Sequence, residues 1–166
     1  MGALALTAPN GAQVWNVGDT NRAITWNGNG TISNVKAEYS TNNGGSWVTI
    51  TSTATGGATG AYSYTWPSIP NVKTEQALVK VSDPNYPAIA DQSDAVFSIR
   101  PVITVTQPLS AADITVGSNT PIRWSATGTT VNFVKLEYSV GGGAYVLIQN
   151  NVDNSLGATY SWANVP

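Results

Sequence analysis

The chain repeats itself. Leu6-Thr7-Ala8-Pro9-Asn10 returns as Val105-Thr106-Gln107-Pro108-Leu109, which sets the two prolines 99 residues apart. Val17-Gly18 returns as Val116-Gly117, Ile24-Thr25-Trp26 as Ile122-Arg123-Trp124, and Val35-Lys36-Ala37-Glu38-Tyr39-Ser40 as Val134-Lys135-Leu136-Glu137-Tyr138-Ser139. Tyr64-Thr65-Trp66-Pro67-Ser68-Ile69-Pro70 returns as Tyr160-Ser161-Trp162-Ala163-Asn164-Val165-Pro166. Self-similarity at a near-constant spacing means one structural unit built twice, with residues 3–100 as the first copy and 101–166 as the second.

Within each copy apolar and polar residues alternate with a period of two, and no segment carries a helical period. Val35, Ala37 and Tyr39 share one face of a strand, while Lys36, Glu38 and Ser40 share the other. Ile24 and Trp26 alternate with Thr25, and Tyr62, Tyr64 and Trp66 with Ser63 and Thr65. Short strands separated by Gly, Asn, Asp, Ser and Pro clusters predict an all-β fold: two tandem immunoglobulin-like or fibronectin type III-like β-sandwiches. The inward stripe of the first is Trp26, Val35, Ala37, Tyr39, Tyr64, Trp66, Val79, Val81, Phe97 and Ile99. Without cysteine there is no inter-sheet disulfide, so side-chain packing must hold the sheets together.

The second copy matches the first only as far as Pro166, the counterpart of Pro70. The runs Ala77 to Ser82 and Ala95 to Ile99, read as the last two strands, have no counterpart, so the second sandwich is expected to lack both. It also has Ala111-Ala112-Asp113-Ile114 where the first has Gly11 to Trp15. Burying Leu78, Val79, Val81, Phe97 and Ile99 contributes about 8 to 15 kcal/mol, comparable with the roughly 5 to 15 kcal/mol net stability of a domain. The second copy is therefore not expected to hold together alone. Either the chain is a piece of a longer array, or strands from another molecule complete the second sandwich and build a filament. The first reading is preferred, since an open apolar edge invites aggregation.

Composition removes several function classes. There is no His and no Cys, so no Ser-His-Asp or Cys-His nucleophile and no imidazole or thiolate metal site is available. Seven Lys plus Arg against nine Asp plus Glu, without a basic run, leaves no footprint for a nucleic acid backbone. No stretch reaches the roughly 18 apolar residues of a membrane span. Met1 to Leu6 has no basic region of a signal peptide, and Leu6 stands where a myristoylation motif needs Ser or Thr; Met1 and Gly2 read as an added or processed start.

Ser40-Thr41-Asn42-Asn43-Gly44-Gly45-Ser46-Trp47 resembles the Asp-box of sialidases and other glycan-handling proteins, with Asn42 where that motif has Asp. Its position between two alternating runs makes it a hairpin tip, where Asn and Gly supply positive φ. The second copy keeps Gly141-Gly142-Gly143 and an aromatic, Tyr145, but loses the asparagine, as a turn can and a ligand site cannot. Trp47 is expected to cover the sheet edge beside the turn.

Taken together, Pro9-Asn10-Gly11 with Val14-Trp15 and Val17-Gly18, Ile24-Thr25-Trp26, Asn43-Gly44-Gly45-Ser46-Trp47 and Ser93-Asp94 resemble the Ig-like repeats of large secreted and cell-surface proteins of bacteria and archaea. The chain is similar, more distantly, to the Ig-like domain of fungal cell-wall proteins of the Kre/Knh type. The resemblance implies an extracellular or cell-surface location and a non-catalytic structural, spacer or adhesion role. It implies as partners further repeats of the same protein or identical subunits. The junction Phe97 to Val105 contains no flexible linker, and Pro101 stiffens it, which predicts a rather rigid pair.

Candidate sites have competing structural readings. Asp83, Asp91 and Asp94 offer oxygen ligands for calcium, although Asp beside Ser and Pro is also a turn-former; no other cofactor is expected. Trp15, Trp47, Tyr86 and Tyr145 are candidates for stacking on sugars or for an interface. On that reading the chain is a carbohydrate-binding appendage of a secreted polysaccharide-active enzyme. Glu38 and Glu137 occupy equivalent positions in separate copies, so a solvated sheet face is expected there rather than a glycosidase pair. Lys36, Lys73 and Lys80 are available for a self-made crosslink to Asn or Asp, against which the polar register of Lys36 argues.

Overall fold

The structure is a computed structural model and describes residues 2–56, 59–109 and 112–166. Met1 and Ala111 lie outside the described residues. The chain divides into two units, Met1–Arg100 and Pro101–Pro166. No helix among the described residues is long and apolar enough to cross a membrane.

Unit 1 is a sandwich of two sheets. One holds β1 (Ala3–Ala8), β3 (Arg22–Asn29) and β6 (Gly60–Trp66) in the order β1-β3-β6. The other runs β2-β9-β7-β4-β5, from β2 (Val14–Asn16), β9 (Phe97–Arg100), β7 (Thr74–Ser82), β4 (Asn34–Ser40) and β5 (Val48–Thr55), with β8 (Ala90–Gln92) beside the end of β7. All pairings are antiparallel except β2 with β9, where Trp15 lies opposite Ile99. The first strand thus starts in one sheet and crosses into the other at Pro9.

Ser93 secures that crossing. Its buried hydroxyl donates to the Pro9 carbonyl at 2.7 Å and accepts the Val79 amide at 3.0 Å. Beside it the Asp94 amide donates to the Asn10 side chain at 2.8 Å, and the Asn10 amide group donates back to the Asp94 carboxylate at 2.7 Å. The paired Pro9-Asn10 and Ser93-Asp94 motifs are therefore the two halves of one clasp.

The core follows the alternation. Trp26, Val35, Ala37, Trp66, Val79, Val81, Phe97 and Ile99 are buried, and Tyr39 and Tyr64 pack partly against them. Ile32 and Ile69 join them from outside the strands, where period-two reading is blind.

Unit 2 repeats part of this plan. Its sheets are β10-β11-β14, from β10 (Ile103–Gln107), β11 (Thr120–Ala126) and β14 (Thr159–Trp162), and β12-β13, from β12 (Phe133–Tyr138) and β13 (Val146–Asp153). Residues 112–119 form no strand. Their counterpart β2 is held in place by β9, and no described strand stands in that position in unit 2. The local turns are nonetheless reproduced: Gly18 and Ile69 exchange backbone bonds with Ile69 and Asp19, as Gly117 and Val165 do with Val165 and Ser118. The Tyr39 and Trp66 rings, with centroids 5.0 Å apart, recur as Tyr138 and Trp162 at 4.9 Å.

Candidate functional site

The hairpin between β4 and β5 answers the Asp-box question. Asn43 and Gly44 have φ of 54° and 86°, the left-handed conformation that tight turns demand. The Asn42 side-chain carbonyl accepts the Ser40 hydroxyl and the Ser46 amide, each at 2.9 Å, and the Ser40 hydroxyl accepts the Gly44 amide at 2.9 Å. The Ser40, Asn42 and Ser46 side chains are thus spent within the turn, on one another and on its backbone amides. In unit 2 Gly141 and Gly142 take the same positive φ, and the Gly143 amide reaches the Val140 carbonyl as that of Gly45 reaches Asn42.

Next to this turn, on the outer face of β4 and β7, lies a cleft of about 450 Å³ lined by Lys36, Glu38, Trp47, Lys80, Asp83 and Pro87 among others. Cross-strand register sets Glu38 directly opposite Lys80. The Lys36 ammonium is 2.6 Å from one carboxylate oxygen of Glu38, and the Lys80 ammonium is 3.1 Å from the other. The same Lys80 ammonium lies 4.2 Å from the centroid of the Trp47 ring. Glu38 is buried, which corrects the expectation of a solvated sheet face: it lies between the Lys36 and Lys80 ammonium groups in this cleft. Burial pushes the Glu38 carboxyl up, but its two lysine partners outweigh this and hold it below the ordinary carboxylate value. A general acid working near neutral pH needs the opposite shift.

The aspartates are not gathered into one site. Asp83 accepts the amides of Asn85 and Tyr86, Asp91 accepts the Leu6 amide at 2.7 Å, and Asp94 serves the clasp with Asn10. Among the described residues no group of three or more acidic side chains is placed to hold a metal ion.

The four aromatic candidates separate. Trp15 is buried, packed against Phe97 at 4.9 Å and Trp66 at 6.0 Å, so it is core rather than a stacking platform. Trp47 gives a ring face to Lys80. Tyr86 and Tyr145 are 67% and 73% exposed and lie in different units. Of the lysines, Lys73 is exposed while Lys36 and Lys80 are committed to Glu38. The pairing of Lys80 with Glu38 is what reading along the chain missed, because only the pairing of β4 with β7 brings the two together.

In unit 2 a groove of about 510 Å³ opens between the sheets, lined by Val105, Ile122, Leu136, Glu137, Tyr138 and Trp162 among others. Glu137 pairs with Lys135 at 2.8 Å.

No family model matches the sequence, and no curated protein matches it. Among solved structures, the chain is similar to fibronectin(III)-like modules of CbhA from Clostridium thermocellum. That likeness covers 98% of this chain and 79% of that one, at 16% identity and a TM-score of 0.28.

Proposed function

We propose that this chain is a non-catalytic structural module of the extracellular space, two β-sandwich repeats that act as a spacer or adhesion segment. The observation that carries the reading is how the outer cleft of unit 1 uses its chemistry. The Glu38 carboxylate holds the Lys36 and Lys80 ammonium groups, Lys80 also lies over the Trp47 ring, and Asp83 is occupied by backbone amides, an arrangement that braces a sheet.

A second reading, a carbohydrate-binding appendage, is favoured by the exposed rings of Tyr86 and Tyr145, since amphipathic rings stack on sugars. Affinity electrophoresis of the full chain through soluble cellulose, xylan, mannan and chitin derivatives separates the two. A spacer migrates unchanged in every gel. Retardation abolished by Tyr86→Ala or Tyr145→Ala, with the fold intact, overturns the structural reading in favour of glycan binding.

A further inference from the structure

We propose that Asn29 is a site of spontaneous covalent modification, the one Asn-Gly pair of four in this chain that the fold leaves free to convert to aspartate and isoaspartate. The proposal is independent of the spacer reading. In the conversion the backbone nitrogen of the glycine gives up its proton to hydroxide and attacks the side-chain carbonyl carbon of the asparagine. A succinimide ring forms, and the side-chain nitrogen takes up a proton and leaves as ammonia. Water then opens the ring at either carbonyl, which gives aspartate or, with the main chain rerouted through the side chain, isoaspartate. The net change is one water consumed and one ammonia released. Glycine in the second place favours the attack, because it has no Cβ to crowd the nitrogen. The reaction needs an amide N–H that no acceptor holds, a side-chain amide free to turn, and a backbone free to rotate.

Three of the four pairs, all of them in unit 1, fail these conditions. In Asn10-Gly11 both polar atoms of the asparagine side chain are bonded to Asp94, and the Gly11 amide donates to the Gln13 side-chain carbonyl at 2.9 Å. Asn27-Gly28 lies inside the central strand of its sheet, with the buried Gly28 opposite Leu4 on one side and Gly60 on the other. Asn43-Gly44 forms the hairpin tip. There the Gly44 amide donates to the Ser40 hydroxyl at 2.9 Å and the Asn43 amide to the Gln76 carbonyl at 2.9 Å, so nucleophile and backbone are both held. Ser40 thus guards that bond as well as building the turn.

Asn29-Gly30 meets all of them. Asn29 is exposed and is the last residue of β3, opposite Ala3, the first of β1; the pairing of β3 with β6 has already ended at Gly28 with Gly60. Strand ends of this kind open at little cost in free energy. The Gly30 amide has no acceptor among the described residues. The Asn29 side-chain carbonyl accepts the exposed Thr59 hydroxyl at 3.1 Å, and its nitrogen, the leaving group, has no partner among the described residues. The product carries a carboxylate where a neutral amide stood, which takes the formal charge of the chain from -2 to -2 - 1 = -3. Isoaspartate also adds a main-chain carbon to the short path from β3 to the buried Ile32.

The test incubates the full chain in mildly alkaline buffer below its thermal midpoint. Tryptic peptides are followed by mass spectrometry, with fragment ions that separate aspartate from isoaspartate. The expected result is conversion at Asn29 at least about tenfold faster than at Asn10, Asn27 or Asn43, and comparable rates at all four once the chain is unfolded in urea. Ser40→Ala is expected to speed conversion at Asn43 while Asn10 keeps its rate, which separates release of the Gly44 amide from loss of the fold. Conversion at Asn10, Asn27 or Asn43 as fast as at Asn29 in the folded chain overturns the proposal. So does an Asn29 that stays intact in the folded chain while it converts in urea, or a Ser40→Ala chain in which Asn43 is as slow as before. None of these results touches the spacer reading, which fails on polysaccharide retardation instead.

Discussion

The ammonium group of Lys80 lies 4.2 Å from the centre of the Trp47 ring while it holds a carboxylate oxygen of Glu38 at 3.1 Å. One cation thus ties three strands, since Lys80 is on β7, Glu38 on β4, and Trp47 immediately precedes β5. Cation–π attraction is stronger where water is partly excluded, and the Lys80 side chain is only 26% exposed.

Trp47→Ala is expected to destabilise unit 1 by about 1 to 3 kcal/mol, through lost packing and the loss of its cation contact. A double-mutant cycle with Lys80→Met should give a coupling of about 0.5 to 2 kcal/mol in urea denaturation. A coupling of zero would mean that the stacking does not contribute to stability.

Glu38 and Asp19 make unit 1 acid-sensitive. Burial raises the Glu38 carboxyl, but Lys36 and Lys80 bring it below its ordinary value of 4.5. Asp19 falls below 3.8 chiefly through its side-chain hydrogen bond with Arg22. A carboxyl whose folded value lies below its unfolded value binds protons more readily when unfolded. Its stabilisation is full above the unfolded value and is lost as pH falls through the folded one. The thermal midpoint of unit 1 should therefore be level above about pH 5 and decline below about pH 4. Glu38→Gln should lower the plateau and flatten the decline.

The Ser93 hydroxyl joins the crossing at Pro9 to β7. Ser93→Ala removes the partner of the buried Pro9 carbonyl and Val79 amide, and should cost about 1 to 3 kcal/mol. Exchange at the Val79 amide should accelerate more than at amides of β5, which the hydroxyl does not touch. Equal acceleration everywhere would point to global destabilisation without a local clasp.

Asn42→Ala should cost about 0.5 to 1.5 kcal/mol, as the carbonyl that accepts the Ser40 hydroxyl and Ser46 amide disappears. Asn42→Asp keeps that acceptor and should retain most of the stability in the same denaturation experiment. A larger loss with Asp than with Ala would refute the acceptor role.

Alternation was enough to place the longer strands, because side chains on a pleated chain must face opposite ways and the core claims one face, whereas the three-residue β2 and β8 are too short to show a period. Recurrence of Pro9, Trp26, Tyr39 and Trp66 as Pro108, Trp124, Tyr138 and Trp162 was enough to count the units. Asn43-Gly44 and Gly141-Gly142 marked their hairpins, since a turn is set by two local φ values. Pairing across the sheets is different in kind. Trp15 belongs to the core because a three-residue strand runs parallel to β9, far along the chain. Glu38 is buried because β7 brings Lys80 opposite it, and Asp83, Asp91 and Asp94 go their separate ways because Asp83 and Asp91 find different backbone amides and Asp94 the side chain of Asn10. Such contacts depend on which strand lies next to which. Nothing in the local period of two records that choice, so the sequence by itself determined strands, turns and repeats, and the tertiary structure decided which polar and aromatic side chains meet.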